Sequence, residues 1–256
     1  MIRRKSRAVS LGGLTIGADA PITIQSMTNT DTHDAEATYR QTLALAEAGC
    51  EIVRITAPDV ESVKTFRILR ERGINIPLVA DIHFDYKIAL AAAEAGVSKI
   101  RINPGNIGSR DKVREVVCAC RERNIPIRIG VNSGSLEKEI LEKYGAPTAE
   151  ALAESAMNHA AILEELEFYN TVISVKSSDV STMIEANRIL AEKTDYPLHL
   201  GVTEAGARTR AIIKSSIGVG ALLSEGIGDT VRISLTDDPC EEVSAAREIL
   251  SVLGLT

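Results

Sequence analysis

The octapeptide KIRINPGN, residues 99–106, shows how this chain is built. Ile100 and Ile102 lie on one side of a strand, while Arg101 and Asn103 lie on the other. A Pro-Gly pair then ends the strand. Strands of a parallel sheet are buried on both faces and normally carry aliphatic residues on each. A cation and an amide along one face therefore indicate that this face lines a polar interior.

Three other segments repeat the arrangement of aliphatic residues on one side and an arginine on the other. They are VRIT at 53–56, IRIGVN at 127–132 and VRIS at 231–234. Four strands thus direct Arg54, Arg101, Arg128 and Arg232 away from their aliphatic sides. The function of the chain depends on what these arginines face.

The four segments belong to a regular alternation of strand and helix patterns. Strands are predicted at 22–27, 52–56, 78–82, 99–103, 127–131, 172–176, 198–203 and 229–234. Helices are predicted at 35–48, 59–72, 86–95, 110–123, 148–166, 179–193, 207–224 and 239–253. Eight such units in 256 residues suit a (β/α)8 TIM barrel. An open doubly wound sheet is the alternative, but it usually has a glycine-rich turn after its first strand, where this chain has QSMTNT.

Two features lie outside this repeat. Residues 9–11 and 14–16 flank Gly12-Gly13 and predict an N-terminal β-hairpin, within residues 1–20, that closes one end of the barrel. The longest loop, 133–147, is expected to hold a short helix. Residues 1–256 are therefore expected to form a single TIM-barrel domain that binds substrate.

Composition excludes several classes of function. The net charge is −6, aromatic residues make up 3% and tryptophan is absent, which argues against a nucleic-acid partner. No apolar run reaches the length of a membrane span, and no apolar stretch follows the basic N-terminus, so we expect a cytoplasmic protein. Cys50, Cys118, Cys120 and Cys240 form no C-x-x-C pair, which favours reduced thiols and no metal site in this chain.

Side-chain alternation predicts which residues fill the barrel. Five cations lie inside, with Asp81 and Glu204 as the expected carboxylates. Because an unpaired buried charge costs several kcal/mol, a counter-anion is required. Either acids from loops, such as Asp31, Asp85 or Asp237, pair with the cations, or the barrel mouth binds a polyanion. The inward residues include Gln25, Arg54, Asp81, His83, Arg101, Asn103, Arg128, Asn132, Lys176, His199, Thr203, Arg232 and Ser234.

We favour a phosphate pocket, because the planar guanidinium group matches phosphate oxygens. The exit of the eighth strand, LTDDP at 235–239, repels anions, so phosphates are expected deep in the barrel. His83 and His199 are expected to form pocket wall, with Gln25 and Thr203, and Asp81 to be an ionised partner. Glu204 is the candidate proton donor or acceptor.

Six ordered motifs resemble one family, 4-hydroxy-3-methylbut-2-enyl diphosphate synthase of the non-mevalonate isoprenoid pathway. They are IQSMT at 24–28, IRINPGN at 100–106, IRIGVNSGSL at 127–136, VKSSD at 175–179, LGVTEAG at 200–206 and VRISLT at 231–236. The resemblance covers nearly the whole chain. It implies an oxidoreductase that opens the ring of 2-C-methylerythritol 2,4-cyclodiphosphate reductively and expels water.

The resemblance also implies roles for individual residues. Glu204 matches the acid that faces the reacting carbons. The diphosphate is held by residues that match Arg54, Arg101, Asn103, Arg128, Asn132 and Lys176, while Arg232 and Ser234 match further pocket residues. A 4Fe-4S cluster supplies electrons that come from flavodoxin or ferredoxin. The family is a homodimer in which the cluster domain of one subunit covers the barrel of the other.

This sequence departs from the family at its C-terminal end. The family's cluster lies on a C-terminal domain with three cysteines and a glutamate ligand, and none of the four cysteines here matches them. We therefore expect this chain to be either an excised barrel domain or one chain of an enzyme whose cluster domain is a separate chain. In both cases we expect the barrel to bind the substrate but not to reduce it alone. Two alternatives stay open: a pterin- or phosphosugar-handling barrel, since dihydropteroate synthase has a similar architecture, and a non-catalytic anion-binding domain.

Overall fold

The computed structural model describes residues 2–255 and contains a nearly closed barrel of parallel strands surrounded by helices. The described residues contain ten strands: β1 Val9–Leu11, β2 Leu14–Ile16, β3 Thr23–Met27, β4 Ile52–Thr56, β5 Leu78–Asp81, β6 Lys99–Ile102, β7 Ile127–Asn132, β8 Thr171–Lys176, β9 His199–Leu200 and β10 Thr230–Val231. The helices are α1 Ala35–Glu47, α2 Lys64–Glu71, α3 Tyr86–Glu94, α4 Arg110–Glu122, α5 Lys138–Tyr144, α6 Ala149–Glu164, α7 Val180–Lys193, α8 Arg208–Ser224 and α9 Pro239–Val252.

The larger sheet has the strand order β8-β7-β6-β5-β4-β3-β10-β9, and every pair in it is parallel. A parallel bridge between Ile173 of β8 and Leu198, next to β9, joins the two ends of this order. The TIM-barrel prediction is therefore confirmed, and the open doubly wound sheet is excluded. A barrel brings the carboxyl ends of all eight strands to one mouth, which is where barrel active sites lie.

The N-terminal hairpin closes the opposite end of the barrel, as predicted. β1 and β2 pair in antiparallel register around Gly12 and Gly13. Leu11 and Ile16 are fully buried, and they pack against Ile52 and Val79 near the starts of β4 and β5. Water is thereby excluded from the amino-terminal end, so the polar interior is reached only from the other end.

The aliphatic sides of the strands pack against the helices in one continuous apolar layer. Ile55, Ala80 and Ile100 are fully buried there, together with helical residues such as Phe66 and Leu69 of α2. Burial of this layer supplies the main stabilising free energy of the fold. The opposite side of each strand is left to face the barrel axis, and it carries the charged residues.

Three predicted elements differ from those observed. Strands predicted at 198–203 and 229–234 shrink to β9 and β10, because the backbone leaves regular pairing where Gly201 approaches the carbonyl oxygen of Arg232. The helix predicted from residue 59 begins at Lys64. Ser62 donates two local hydrogen bonds to Asp59, from its amide to the carboxylate at 2.8 Å and from its hydroxyl to the carbonyl oxygen at 2.7 Å, and such a turn competes with helix initiation.

The long loop after β7 contains structure of its own, as predicted. A 3-10 turn at Ser133–Ser135 precedes the short helix α5, which ends at Gly145 in a left-handed conformation. A second 3-10 turn, Pro104–Asn106, follows β6. No helix within residues 2–255 is long and apolar enough to cross a membrane.

Candidate functional site

A cleft at the carboxyl ends of the strands is the candidate site. It encloses about 430 Å³ of empty space. Five of its eleven lining residues are arginine or lysine. Such a density of cations in a half-enclosed cleft favours a ligand with several negative charges. The lining residues are Arg54, His83, Arg101, Arg128, Gly130, Asn132, Ser174, Lys176, Val202, Thr203 and Arg232.

Asp81 is the carboxylate at the centre of one half of the cleft floor. Its oxygens lie 3.2 Å from Arg54 Nη2 and 3.2 Å from Arg101 Nη1, and the residue is 1% exposed. Burial alone would raise the pKa of Asp81, but attraction to Arg54 and Arg101 lowers it below its usual value. Asp81 is therefore an ionised partner of two arginines.

The second internal carboxylate is Glu242, which strand alternation did not predict, whereas Glu204 lies exposed at the strand exit. Glu242 lies on α9 and is 2% exposed. It accepts hydrogen bonds from Arg232 at 2.8 and 3.1 Å and from Ser26 Oγ at 2.8 Å. A helix residue reaches the interior here because α9 packs against β3, where Ser26 also donates to the carbonyl oxygen of Pro239.

Arg128 and Lys176 complete the cleft without a carboxylate of their own in the described part of the chain. Arg128 is 1% exposed, and its Nε and Nη1 atoms have no hydrogen-bond partner there. Burial, then repulsion from Arg54 and Arg101, lowers the pKa of Arg128. Burial and repulsion from Arg232 likewise lower the pKa of Lys176. These two side chains most need an anion from outside the protein.

Two glycines make room for these cations. A Cβ atom at Gly201 would lie 2.8 Å from Lys176 Nζ, and one at Gly130 would overlap the guanidinium group of Arg101. Arg101 also donates a 2.7 Å hydrogen bond to the carbonyl oxygen of Gly130. Side chains at either glycine would therefore displace a charged group of the cleft.

The remaining predicted residues separate into two groups. Asn132, His83 and Thr203 line the cleft. Asn103 lines the cavity next to it, and its Oδ1 accepts a 3.0 Å hydrogen bond from the Gly130 amide. The others are outside the lining: Gln25 and His199 are buried in the barrel, and Ser234 is half-buried beyond β10.

Glu204 is exposed at the rim in the loop after β9. Its backbone φ is +48°, a left-handed conformation that non-glycine residues adopt only at a cost.

The loop acids take no part in the interior: Asp31 pairs with His33, Asp85 caps α3, and Asp237 accepts a hydrogen bond from the next amide. Internal ion pairs do neutralise three of the arginines, but through Asp81 and Glu242 and not through these loop acids: Arg54, Arg101 and Arg232. Within residues 2–255, Arg128 and Lys176 are left without a paired carboxylate.

Comparison with known sequences identifies the barrel. Residues 6–247 match the model of the GcpE TIM-barrel domain. The chain is 61% identical over 253 residues to 4-hydroxy-3-methylbut-2-en-1-yl diphosphate synthase (flavodoxin) of Symbiobacterium thermophilum, covering 99% of this chain and 68% of that protein. The chain belongs to this synthase family. The synthase of Clostridium perfringens with the same name is 60% identical, over 99% of this chain and 72% of its own length.

Solved structures confirm the architecture of this synthase barrel. Dihydropteroate synthase from Stenotrophomonas maltophilia superposes with a TM-score of 0.70 at 15% identity, covering 98% of this chain and all of that one. A type I 3-dehydroquinate dehydratase from Clostridium difficile gives a TM-score of 0.68 at 16% identity, covering 98% and 97%. At these identities the likeness concerns the fold, and the predicted dihydropteroate-synthase-like architecture is confirmed.

Sequence reasoning missed two buried charges of the synthase barrel. Lys99 is fully buried, and its Nζ has no hydrogen-bond partner among the described residues. Its place on the same side of β6 as Arg101 was a signal that could have found it. Glu242 lies on a helix predicted to stay outside the barrel, so alternation along strands could not find it.

The residues present do not fit a 4Fe-4S cluster. Within residues 2–255, no three His, Cys, Asp or Glu side chains are arranged to hold a metal ion. The four cysteines are free thiols, and burial raises the pKa of both Cys50 and Cys120 to about 12, which disfavours the thiolate that binds iron. The described side chains of the barrel therefore offer no ligand set for such a cluster.

Proposed function

We propose that this barrel is the substrate-binding domain of a 4-hydroxy-3-methylbut-2-en-1-yl diphosphate synthase and that it binds 2-C-methylerythritol 2,4-cyclodiphosphate in the cationic cleft. The observation that carries the proposal is the pair of unneutralised cations, Arg128 and Lys176, in a cleft already lined by Arg54, Arg101 and Arg232. A cyclic diphosphate supplies the missing negative charge in a small, enclosed space.

Each group of side chains has a distinct task in this proposal. Arg128 and Lys176 bind phosphate oxygens directly. Asp81 holds Arg54 and Arg101 in place, and Glu242 holds Arg232. Asn132 and Asn103 orient the ligand at the mouth, and Ser234 contributes from the loop after β10. The two carboxylates fix the arginines in advance of binding, which reduces the entropy lost when the ligand enters.

The surplus of positive charge also favours the reaction. Breaking the ring bond between carbon and the diphosphate oxygen leaves that oxygen with a further negative charge. The cleft cations therefore bind the opened diphosphate more strongly than the closed ring, and an interaction that strengthens along the reaction lowers its barrier. Glu204, at the rim, is proposed to face the reacting carbons and to transfer or orient a proton there.

Electrons are proposed to come from outside residues 2–255. The names of the relatives specify flavodoxin, and we propose flavodoxin or ferredoxin as the donor to a 4Fe-4S cluster in a full-length homodimer, where the partner subunit's cluster domain covers this barrel. The free thiols support a cytoplasmic location, since reducing compartments keep cysteines unpaired. The barrel by itself is then proposed to bind substrate without reducing it.

Isothermal titration calorimetry with the cyclic diphosphate tests the proposal. Arg101→Ala and Arg128→Ala should each weaken binding by about 1.5–3 kcal/mol, the usual contribution of a hydrogen bond to a charged group. Arg121→Ala is the matched control, because Arg121 lies on the outer surface of α4 and donates to a carbonyl of another loop. Unchanged affinity in both cleft variants would reject the site.

The pterin alternative is tested by the same method. A dihydropterin should give no measurable heat and no thermal shift, because it carries no phosphate to neutralise Arg128 and Lys176. Binding of the pterin in preference to the cyclic diphosphate would favour the alternative enzyme. Ligand binding without any turnover after addition of a reduced, isolated cluster domain would favour a non-catalytic anion-binding domain.

A further inference from the structure

A buried histidine outside the cleft connects two loops of the barrel mouth. His159 lies on α6 and is 3% exposed. The backbone amide of Gly105 donates a 3.1 Å hydrogen bond to its Nδ1 atom. On the other side of the ring, Nε2 contacts the carboxylate of Glu137. Ser155, one turn earlier on α6, donates a 2.8 Å hydrogen bond to the second oxygen of Glu137.

These contacts define the protonation of the ring. Because Nδ1 accepts a hydrogen bond from an amide, the ring proton is on Nε2, which donates to Glu137. Burial alone would raise the pKa of Glu137, but the hydrogen bonds from His159 and Ser155 lower it to about 2. The Glu137–His159–Gly105 relay is thus an imidazole ring held between an ionised carboxylate and a backbone amide.

The two ends of the relay belong to the two loops that carry the asparagines of the site. Gly105 lies in the 3-10 turn directly after Asn103. Glu137 ends the segment that starts at Asn132 and continues through the turn at Ser133–Ser135. Both loops line one cavity beside the cleft, with about 520 Å³ of empty space, to which Asn103 and Asn132 both contribute.

The approach of the ring to the turn is too close for any residue but glycine. A Cβ atom at Gly105 would lie 2.6 Å from His159 Cε1. A histidine that merely filled the apolar layer between helix and strand would need neither this approach nor a carboxylate from a different loop. The relay instead has a hydrogen-bond partner in each loop, so a displacement of either loop breaks one of its bonds.

We propose that His159 is a positioning residue: the Glu137–His159–Gly105 relay holds the turn after β6 and the loop after β7 at a fixed separation, and so places Asn103 and Asn132 for the diphosphate ligand. The identity of the ligand as a diphosphate rests on the proposed function. The role of the relay in bracing the two loops does not. Loss of the ring should loosen both loops together and weaken binding without removing any group that touches the ligand.

Two substitutions of His159 distinguish a positioning role from an effect on the stability of the fold alone. His159→Ala removes both bonds. His159→Gln keeps an acceptor for Gly105 and a donor for Glu137, because its amide oxygen and nitrogen are about as far apart as the two ring nitrogens. We expect His159→Ala to weaken binding of the cyclic diphosphate about 10-fold or more, as loss of a supporting hydrogen-bond partner commonly does, and His159→Gln to restore most of it.

Tyr196→Phe is the matched control. Tyr196 is buried and donates a 2.9 Å hydrogen bond to Glu164, the last residue of α6. This change should lower the unfolding temperature as His159→Ala does, yet leave ligand affinity unchanged. Hydrogen exchange should show faster exchange of the amides at 104–107 and 133–137 in His159→Ala only.

The binding and exchange measurements each have an outcome that contradicts the proposal. Wild-type affinity in His159→Ala, equal weakening by the alanine and glutamine variants, or exchange that stays slow in both loops would overturn the positioning role. Failure of the wild-type barrel to bind the cyclic diphosphate would instead reject the proposed function, and the exchange data would still decide whether the relay braces the loops.

Discussion

Arg101 and Arg128 are register partners on the neighbouring strands β6 and β7, and both point into the barrel. Arg101 reaches Asp81 at 3.2 Å, while Arg128 has no carboxylate partner among the described residues. Like charges directly opposite each other in a sheet are destabilising. The empty barrel therefore carries a cost at this pair that a bound anion would remove.

Replacing Arg128 with methionine should separate stability from binding. Exchange of an unpaired buried cation for an apolar side chain of similar length should raise the free energy of unfolding of the ligand-free barrel by about 1 kcal/mol or more. The stabilisation that a saturating concentration of the cyclic diphosphate gives to the wild type should fall by about 1.5–3 kcal/mol. Urea denaturation with and without ligand measures both quantities.

Arg101→Met is the contrasting variant, because it leaves Asp81 with one guanidinium partner fewer. It should be less stable than the wild type. A loss of stability in Arg128→Met as large as that in Arg101→Met would contradict the distinction drawn between the two arginines.

Asp81→Asn should destabilise the barrel strongly. Removal of the carboxylate leaves Arg54 and Arg101 buried without a counter-charge, which costs about 3–5 kcal/mol. Because the pKa of Asp81 is lowered by folding, its contribution is present above the unfolded pKa of about 3.9 and is lost as pH falls through the lower folded value. The difference between wild type and variant should therefore be constant from pH 8 to about pH 5 and shrink in strong acid.

Urea denaturation over this pH range measures the effect of Asp81→Asn. Asp195→Asn is the control, since Asp195 pairs with Arg7 at the surface with its side chain 58% exposed. An exposed pair should contribute less than about 1 kcal/mol. Equal effects of the two changes would show that the interior pair is no stronger than a surface one.

Lys99→Met should reveal a buried amine through the pH dependence of stability. Burial and repulsion from Arg128 lower the pKa of Lys99 well below its ordinary value. Between the lowered pKa of the folded chain and the unfolded pKa of about 10.4, the unfolded chain binds a proton that the folded chain lacks, so the stability of the wild type rises with pH in that range. The variant should be more stable than the wild type at pH 7, and the difference should narrow towards pH 10.

The charged groups near Lys99 on other strands are Arg54, Arg128 and His199, and all three remain in both proteins. Subtracting one unfolding curve from the other therefore isolates Lys99. A difference that is constant with pH would mean that Lys99 keeps its proton in the folded barrel.

Glu204→Gly should stabilise the barrel and inactivate the synthase. Glycine removes the cost of the left-handed conformation, about 1 kcal/mol, and also removes the carboxylate that is proposed to act at the reacting carbons. Glu167→Gly is the control, because Glu167 is exposed, has a φ of +54° and precedes β8, at the opposite end of that strand from Lys176. Unfolding of the barrel and turnover of a full-length synthase carrying each change are the measurements. Turnover that survives Glu204→Gly would exclude Glu204 from the chemistry.

Much of the barrel followed from side-chain alternation and helix periodicity. The strands with clear aliphatic sides, such as 52–56 and 127–132, lie within a residue of their predicted positions. The two strands that end among charged residues at the mouth, β9 and β10, were predicted too long. Alternation continues in the sequence there, but the close approach at Gly201 ends the ladder, and such an approach has no signature along one strand.

The identity of the side chains that enter the barrel could be read from the sequence, because alternation on a strand is a local property of the backbone. Which of those side chains are neutralised became visible only in the folded chain. Asp81 reaches two arginines across three strands, and Glu242 enters from the last helix, while Glu204 stays at the rim. Ion pairing depends on distances between residues far apart in the chain, and those distances are set by barrel closure and by the packing of α9 against β3.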